Sequence, residues 1–302
     1  MPDLLSVYDF DKREADAYLS EASRMEALLG KGKPLRALSG KIVANMFFEA
    51  STRTNFSFQS AAARLGATPI VFYSDKSSAQ KGETYSDTVQ MMDGYADCMV
   101  IRHPQPGMPQ LAAEIAEHPV INAGDGGNQH PTQALIDIYT IKKLKGKIDG
   151  LNVTLMGDLK HARAMRSLFH LLAMYGANIT LCSPAILAMG PEVVSRARKE
   201  FGANIRETAK PSFAGCGLLY VCRVQRERFA DQDEAIRLSQ EFRIGMGALR
   251  AAPKEMAVLH PLPKLDELPA EFDSDARAKY FEQAKNGVPV RMAILKRCIL
   301  GK

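Results

Sequence analysis

The chain has 302 residues, with 39 Lys+Arg against 34 Asp+Glu and a formal net charge of +5. Apolar residues make up 46% and charged residues 24%, a balance that excludes a disordered chain and suits two domains at this length. No run approaches the ~18 consecutive apolar residues a membrane helix requires. The N-terminal stretch carries acids and no apolar segment of signal-peptide type, so a cytoplasmic location is expected.

In chain order, residues 11–29 read as an amphipathic helix, with Ala15, Leu19, Ala22, Met25 and Leu29 at helical spacing. Residues 41–48 form an apolar run of strand length, 52–65 a helix stopped by Gly66, and 70–73 a further strand. Residues 83–95 read as helix, 97–101 as a strand ending at Arg102-His103-Pro104, 120–122 as a short strand before a Gly-rich turn, and 132–144 as a long helix. A second series follows: strand 152–156, helix 163–175, strand 178–182, helix 191–201, strand 218–222, a short strand at 258–259 and a closing helix at 291–300. Such alternation predicts two α/β domains with doubly wound parallel sheets. Ligands then bind at the carboxyl ends of the strands.

The junctions there carry the chemistry. Ser51-Thr52-Arg53-Thr54 opens a helix directly after a strand, offering unpaired N–H groups, hydroxyls and a guanidinium to an anion such as phosphate. Pro131 sits at the first position of the next long helix, which puts His130 at the helix mouth. The positive dipole end there disfavours protonation and leaves a neutral imidazole able to hydrogen-bond a carbonyl oxygen, with Gln133 one turn on. Arg102, Arg163 and Arg223 fall at or just after strand ends, Gln225 follows Arg223, and Lys81 lies in the polar segment 77–84. With Arg53, five cations at ligand-facing junctions suit a multiply anionic substrate. Each also has a plainer reading, as a capped helix, a structural histidine or a surface cation.

Other chemistries lack their signatures. The glycines at 124–127 do not complete a dinucleotide fingerprint, and neither a phosphate-binding P-loop nor a zinc-protease sequence is present. Cys98, Cys182, Cys216, Cys222 and Cys298 are scattered singly, against a disulfide framework or a zinc site. The modest charge surplus has no block longer than two basic residues, so nucleic acid is not an expected partner.

Seven blocks in order over nearly the whole chain are similar to the catalytic chains of aspartate carbamoyltransferases: FFEASTRT at 47–54, KGET at 81–84, RHPQ at 102–105, NAGDGGNQHPTQ at 122–133, GDLK at 157–160, RVQRER at 223–228 and HPLP at 260–263. The first block, HPTQ and HPLP resemble carbamoyltransferases at large, and Arg223 with Gln225 resembles the aspartate branch. The resemblance implies a carbamoyltransferase fold, a carbamoyl phosphate-binding domain over residues 1–131 with 286–302 packed back on it, and an aspartate-binding domain over 132–285. It implies an active site between domains and at a subunit interface, and carbamoyl transfer from carbamoyl phosphate to L-aspartate in pyrimidine biosynthesis. By the same resemblance Ser51, Thr52, Arg53 and Thr54 hold the phosphate, and Arg102, His130 and Thr54 polarise the carbamoyl oxygen. Gln133 with the backbone carbonyls of Leu262 and Pro263 orients the carbamoyl NH2, while Arg163, Arg223 and Gln225 bind the aspartate carboxylates. Ser77 and Lys81 come from a neighbouring subunit, so a homotrimer is the active unit, and a regulatory chain is a further candidate partner. Neither metal nor cofactor is implied. Glu49 and Arg228 match positions that link the domains.

The sequence departs from the family pattern at Lys264, where Arg commonly follows HPLP, at Cys222, where Thr is usual, and at Ala162, where Gly is common. Two alternatives stand beside the main expectation: transfer to another amine acceptor, and a catalytically silent homologue serving as a binding subunit.

Overall fold

The computed structural model describes residues 2–32, 35–73 and 77–301. The chain divides into two compact units, Met1–Tyr139 with Asn286–Lys302, and Thr140–Lys285.

In the first unit, helix α1 (Lys12–Gly30) is capped by Asp11, whose side chain accepts from the Glu14 N–H. Strands β1 (Ile42–Phe47), β2 (Thr68–Tyr73), β3 (Cys98–His103) and β4 (Val120–Asp125) alternate with helices α2 (Thr52–Arg64), α3 (Tyr85–Asp93) and α4 (Met108–Ile115). The long helix α5 (Pro131–Lys145) follows. Among the described residues the strands form one parallel sheet in the order β2-β1-β3-β4. Ala44, Met46, Met99 and Ile101 pack there with Val89, Met92 and Ala112 into an apolar core.

In the second unit, β5 (Asn152–Gly157), β6 (Asn178–Cys182), β7 (Ile205–Thr208), β8 (Leu218–Cys222) and β9 (Ala257–Leu259) make a parallel sheet in the order β7-β6-β5-β8-β9. Helices α6 (Arg163–Met174), α7 (Pro191–Phe201), α8 (Gln232–Glu241) and α9 (Met246–Ala251) occupy the connections, and α10 (Tyr280–Leu300) closes the chain. Met156, Leu219, Val221, Val258, Phe272 and Tyr280 belong to this unit's core.

Four elements lie where the sequence pattern gave no signal. Helix α4 begins after Gly107, with φ 83°, and carries Pro109 in its first turn, where a missing N–H costs nothing. Helix α8 buries only Ala235, Leu238 and Ser239, so its apolar stripe is faint, although Asp231 caps it well. Helix α9 is six residues long and buries only Leu249. Strand β7 lies at a sheet edge and reads Ile-Arg-Glu-Thr, with little alternation to mark it. Helix α10 starts at Tyr280 rather than Arg291 and runs through Gly287 and Pro289. The buried run Val290, Met292, Ala293, Ile294 and Leu295 supplies packing that overrides those two breakers.

The strand orders place the ligand-binding ends. Each sheet has one point where the connections reverse direction, β1/β3 in the first unit and β5/β8 in the second. The loops that leave adjacent strands there open a crevice at their carboxyl ends.

Candidate active site

In the first unit the loop after β1 delivers Ser51 to Thr54 and the end of β3 delivers Arg102. The register pairs Phe47 with Arg102, and the Phe48 N–H donates to the Arg102 carbonyl at 2.8 Å. Both groups of candidates therefore stand at the same carboxyl edge and at the reversal point. Ser51 is the N-cap of α2, with φ −159° and ψ 100°, but its side chain makes no capping hydrogen bond. The first in-helix bond is donated by the Asn55 N–H to the Ser51 carbonyl at 3.2 Å. The preceding N–H groups lie at the positive end of the helix dipole, the arrangement that takes an anion. Asn45 on β1 donates to the Asn55 side-chain oxygen at 2.9 Å, fixing this helix start to the sheet. Thr54 is buried, whereas Thr52 and Arg53 are exposed.

The Arg102 Nε lies 3.1 Å from a Glu49 carboxylate oxygen. Beneath this pair Phe48, Phe72, Tyr85 and His103 form a ring cluster with centroids 5.0–5.4 Å apart. The cluster stiffens the residue that precedes Glu49 and the one that follows Arg102.

His130 is positioned by a buried carboxylate. Asp125, at the end of β4, accepts from the Gln129 N–H at 2.9 Å, the Gly107 N–H at 2.9 Å, and the Asn122 and Asn128 amides at 3.0 Å each. Those bonds shape the Gly-rich turn, and the Gly126 N–H ties it to the His103 carbonyl at 2.9 Å. His130 then ends the turn as the residue before α5, its carbonyl accepting from the Gln133 and Ala134 N–H groups. His130 is buried, and Gln133 half-buried one turn along. The Gln133 Nε2 donates to Asp137 Oδ1 at 2.8 Å. Asp125 and Asp137 lie within or just beyond a recognisable sequence block, but nothing in their spacing marks them as anchors.

Ser77 precedes and Lys81 ends the 3-10 turn Ser78–Lys81 in the connection after β2, and Lys81 is exposed. Because β2 is an edge strand, on the far side of β1 from β3, this connection does not leave from the reversal point.

In the second unit the loop after β5 carries Asp158 and leads to Arg163, the buried first residue of α6. The loop after β8 carries Arg223 and Gln225. Asp158, fully buried, joins the two loops: its oxygens accept from the Gln225 N–H at 3.1 Å and the His161 N–H at 2.9 Å. The strands approach so closely that a Cβ on Gly157, whose φ is 120°, would lie 2.0 Å from the Cys222 carbonyl oxygen. Only glycine fits there.

Arg223 and Gln225 are both held by neighbours. Glu227 takes two bonds from Arg223, at 2.9 Å from Nη1 and 2.5 Å from Nη2. The hydrogen bond to Arg223 holds the Glu227 carboxyl below its ordinary range against the opposing effect of burial. Gln225 accepts at its side-chain oxygen from Arg228 Nε at 2.8 Å.

After β9, His260 and Leu262 form a second organised turn. The Leu262 N–H donates to His260 Nδ1 at 2.8 Å, so the ring proton sits on Nε2, 2.7 Å from Glu267. Burial pushes the His260 pKa down. Leu262 has φ 55°, unusual for a branched residue, and a cis peptide bond joins it to Pro263. Leu262 is half-buried and Pro263 exposed.

The three departures fit without strain. Ala162 has φ −80° and needs no glycine, Cys222 is buried beside Arg223, and Lys264 pairs with Asp273 at 3.0 Å. Among the described residues no group of three His, Cys, Asp or Glu side chains is arranged to hold a metal ion, and no helix is long and apolar enough to cross a membrane.

Comparison with known proteins agrees with this arrangement over the full chain. Residues 2–143 match the model for the aspartate/ornithine carbamoyltransferase carbamoyl-P binding domain, and residues 149–298 the model for the Asp/Orn binding domain. The aspartate carbamoyltransferase catalytic subunit of Thermococcus gammatolerans is 46% identical, over 97% of this chain and 96% of its own length. The catalytic subunit of M. jannaschii aspartate transcarbamoylase superposes with a TM-score of 0.90 at 40% identity, covering 100% of this chain and 99% of that one. A Trypanosoma cruzi aspartate transcarbamoylase in complex with carbamoyl phosphate and aspartate gives a TM-score of 0.92 at 36% identity, covering 97% and 95%. Two parallel-sheet α/β units with these loops at their reversal points, and a likeness that runs end to end, place the chain in the aspartate/ornithine carbamoyltransferase family.

Proposed function

We propose that this protein transfers the carbamoyl group of carbamoyl phosphate to the amino group of L-aspartate, giving N-carbamoyl-L-aspartate and phosphate. One observation carries the reading. In each unit the reversal point of the sheet holds an anion-binding set, Ser51–Thr54 with Arg102 in one and Arg163 with Arg223 and Gln225 in the other. Two anionic substrates need two such sets.

The helix-α2 N–H groups, the hydroxyls of Ser51 and Thr52 and the Arg53 guanidinium bind the phosphate. Arg102, His130 and Thr54 donate to the carbamoyl oxygen. As the amine lone pair attacks the carbonyl carbon, negative charge builds on that oxygen, and losing one such donor typically costs ~10²–10³ in rate. Gln133 and the carbonyls of Leu262 and Pro263 accept from the carbamoyl NH2 and fix the plane of attack. Arg163, Arg223 and Gln225 hold the two aspartate carboxylates and orient the amine. The C–N bond forms, the C–O bond to phosphate breaks, and phosphate leaves with the electron pair, stabilised by Arg53 and the helix terminus. The amine proton ends on the departing phosphate, so the balance closes without a further reactant.

The family likeness also supports a cytosolic homotrimer in pyrimidine biosynthesis, with Ser77 and Lys81 completing the site of a neighbouring subunit and a regulatory chain as an additional partner. It further supports a division of labour in which residues 1–131 and 286–302 serve carbamoyl phosphate and residues 132–285 serve aspartate. Assay of carbamoyl transfer to aspartate, ornithine and related amino acids tests the assignment. Turnover with aspartate and not ornithine is expected. Preference for another acceptor overturns the substrate, and no turnover with any acceptor overturns the enzyme.

A further inference from the structure

The turn after β9 is bracketed by two backbone N–H groups, each held by a buried side chain. On one side the Leu262 N–H donates to His260 Nδ1 at 2.8 Å. On the other the Leu265 N–H donates to the Glu267 carboxylate, with both oxygens at 3.1 Å. The histidine ring closes the bracket, because its Nε2 lies 2.7 Å from the same carboxylate. Between the two held N–H groups stand the carbonyls of Leu262 and Pro263.

The bracket is anchored in the core of the second unit. The His260 N–H donates to Gln283 Oε1 at 2.9 Å, and Gln283 Nε2 donates in turn to the Tyr220 hydroxyl at 3.4 Å. The Glu267 carbonyl accepts from the Ile244 N–H at 2.9 Å. The Leu262 side chain packs on the apolar cluster that contains Val258 and Leu268. His260, Glu267 and Gln283 are all buried. Burying three polar side chains is unfavourable unless their atoms find partners, and these partnerships converge on one short turn.

Backbone strain is an independent observation. Leu262 has φ 55°, a sparsely populated region for a branched residue, which persists only where the surroundings over-determine it. The His260 acceptor and the packed side chain supply that determination. A glycine would take the conformation without strain, but it would lose the side-chain anchor.

We propose that His260 and Glu267 are a positioning pair of the carbamoyl subsite, holding the Leu262 and Leu265 N–H groups so that the carbonyls between them keep the direction that accepts the carbamoyl NH2. The inference rests on the role given above to the carbonyls of Leu262 and Pro263. Both side chains act through the main chain rather than on substrate.

The test compares ligands with and without an NH2. Acetyl phosphate carries a methyl group where carbamoyl phosphate has its NH2, and inorganic phosphate has neither. The readouts in the full chain are the carbamoyl phosphate KM at saturating aspartate and the inhibition constants of the other two. His260→Phe keeps a ring and removes the acceptor; it should raise that KM about tenfold and leave both inhibition constants within about twofold. His260→Asn restores an acceptor for an N–H two residues on, and should return the KM to within about threefold of the parent. Glu267→Gln sets an NH2 against one of the two donors and should give the same selectivity with a rise of about threefold. That variant carries the test if His260→Phe does not fold. Equal weakening of all three ligands, an unchanged KM in His260→Phe or Glu267→Gln, or no recovery in His260→Asn overturns the proposal. A parent chain without transfer to aspartate would overturn the function itself, which is a different result.

Discussion

Replacing Glu227 by Gln isolates one step of substrate recognition, because Glu227 governs which edge of Arg223 is offered. A guanidinium has five N–H donors. Three are committed inside the second unit, two to Glu227 and one, from Nη1, to the Val224 carbonyl at 3.2 Å. The Nε–H and the second Nη2–H remain as a side-on fork, the shape that takes a carboxylate bidentately. The Glu227→Gln variant would keep one acceptor and place an NH2 against the guanidinium, so the fork loses its fixed direction. The Glu227 side chain is 56% exposed, which keeps the pair in the range of solvent-screened ion pairs. Its two-pronged geometry puts it near the upper end, about 1 kcal/mol. That predicts a roughly fivefold rise in the aspartate KM, with kcat and the carbamoyl phosphate KM little changed. Steady-state kinetics with each substrate varied in turn measures this. A fall in the aspartate KM would refute the argument, since it would mean that Glu227 competes with the substrate rather than aiming its receptor. The effect should not vary between about pH 5 and 8. A carboxyl held below its ordinary pKa contributes fully above the ordinary value and loses its contribution only as pH falls through the depressed one.

Other consequences are as specific. Gly157→Ala sets a methyl 2.0 Å from a backbone carbonyl at φ 120°; β5 and β8 should separate, with at least ~3 kcal/mol lost in denaturant unfolding. His170 is buried against Phe201, and burial pushes its pKa down to about 4. The unfolded chain then binds a proton that the folded chain refuses, so stability should fall by about 1.4 kcal/mol per pH unit from roughly pH 6.5 toward pH 4. His170→Phe should reduce that slope by one proton in urea titrations across the window. Mixing inactive Arg53→Ala and Lys81→Ala chains should restore part of the activity if Lys81 completes a neighbour's site. Confirmed mixed trimers without rescue would remove that role.

The legible part of the sequence was the part whose chemistry is local. The strand-to-helix turn at Ser51–Thr54 and the helix start at Pro131 declare themselves, because caps and turns are written in adjacent residues. Elements held by distant packing do not. Helix α10 reads as broken at Gly287 and Pro289, yet it continues because its far half is buried, and Gly287 itself is explained only by a guanidinium four residues on. The same holds at the site. Asp125, Asp137 and Asp158 look like ordinary acids in the sequence, and only the fold shows each one buried and accepting hydrogen bonds, Asp125 and Asp158 from the loops that carry His130 and Gln225 and Asp137 from Gln133 on its own helix. The candidate side chains were visible, whereas the carboxylates that hydrogen-bond around them were not.

Those carboxylates change what the basic surplus means. An excess of +5 suggests free cations waiting for anions, but Arg102 sits on Glu49, Arg223 on Glu227, and the Gln225 oxygen on Arg228. A substrate anion therefore meets groups already engaged by the protein, and its affinity is the difference between two partnerships. For Arg223 the geometry leaves a second fork, so the internal partner and the substrate can be held together. For Arg102 the Glu49 carboxylate lies 3.1 Å from Nε, so a carbonyl oxygen meets a cation whose charge is already partly offset by an internal acid. A partly offset cation suits one developing oxyanion, and a two-pronged fork suits a carboxylate. The internal acids thus give two chemically identical guanidinium groups different tasks.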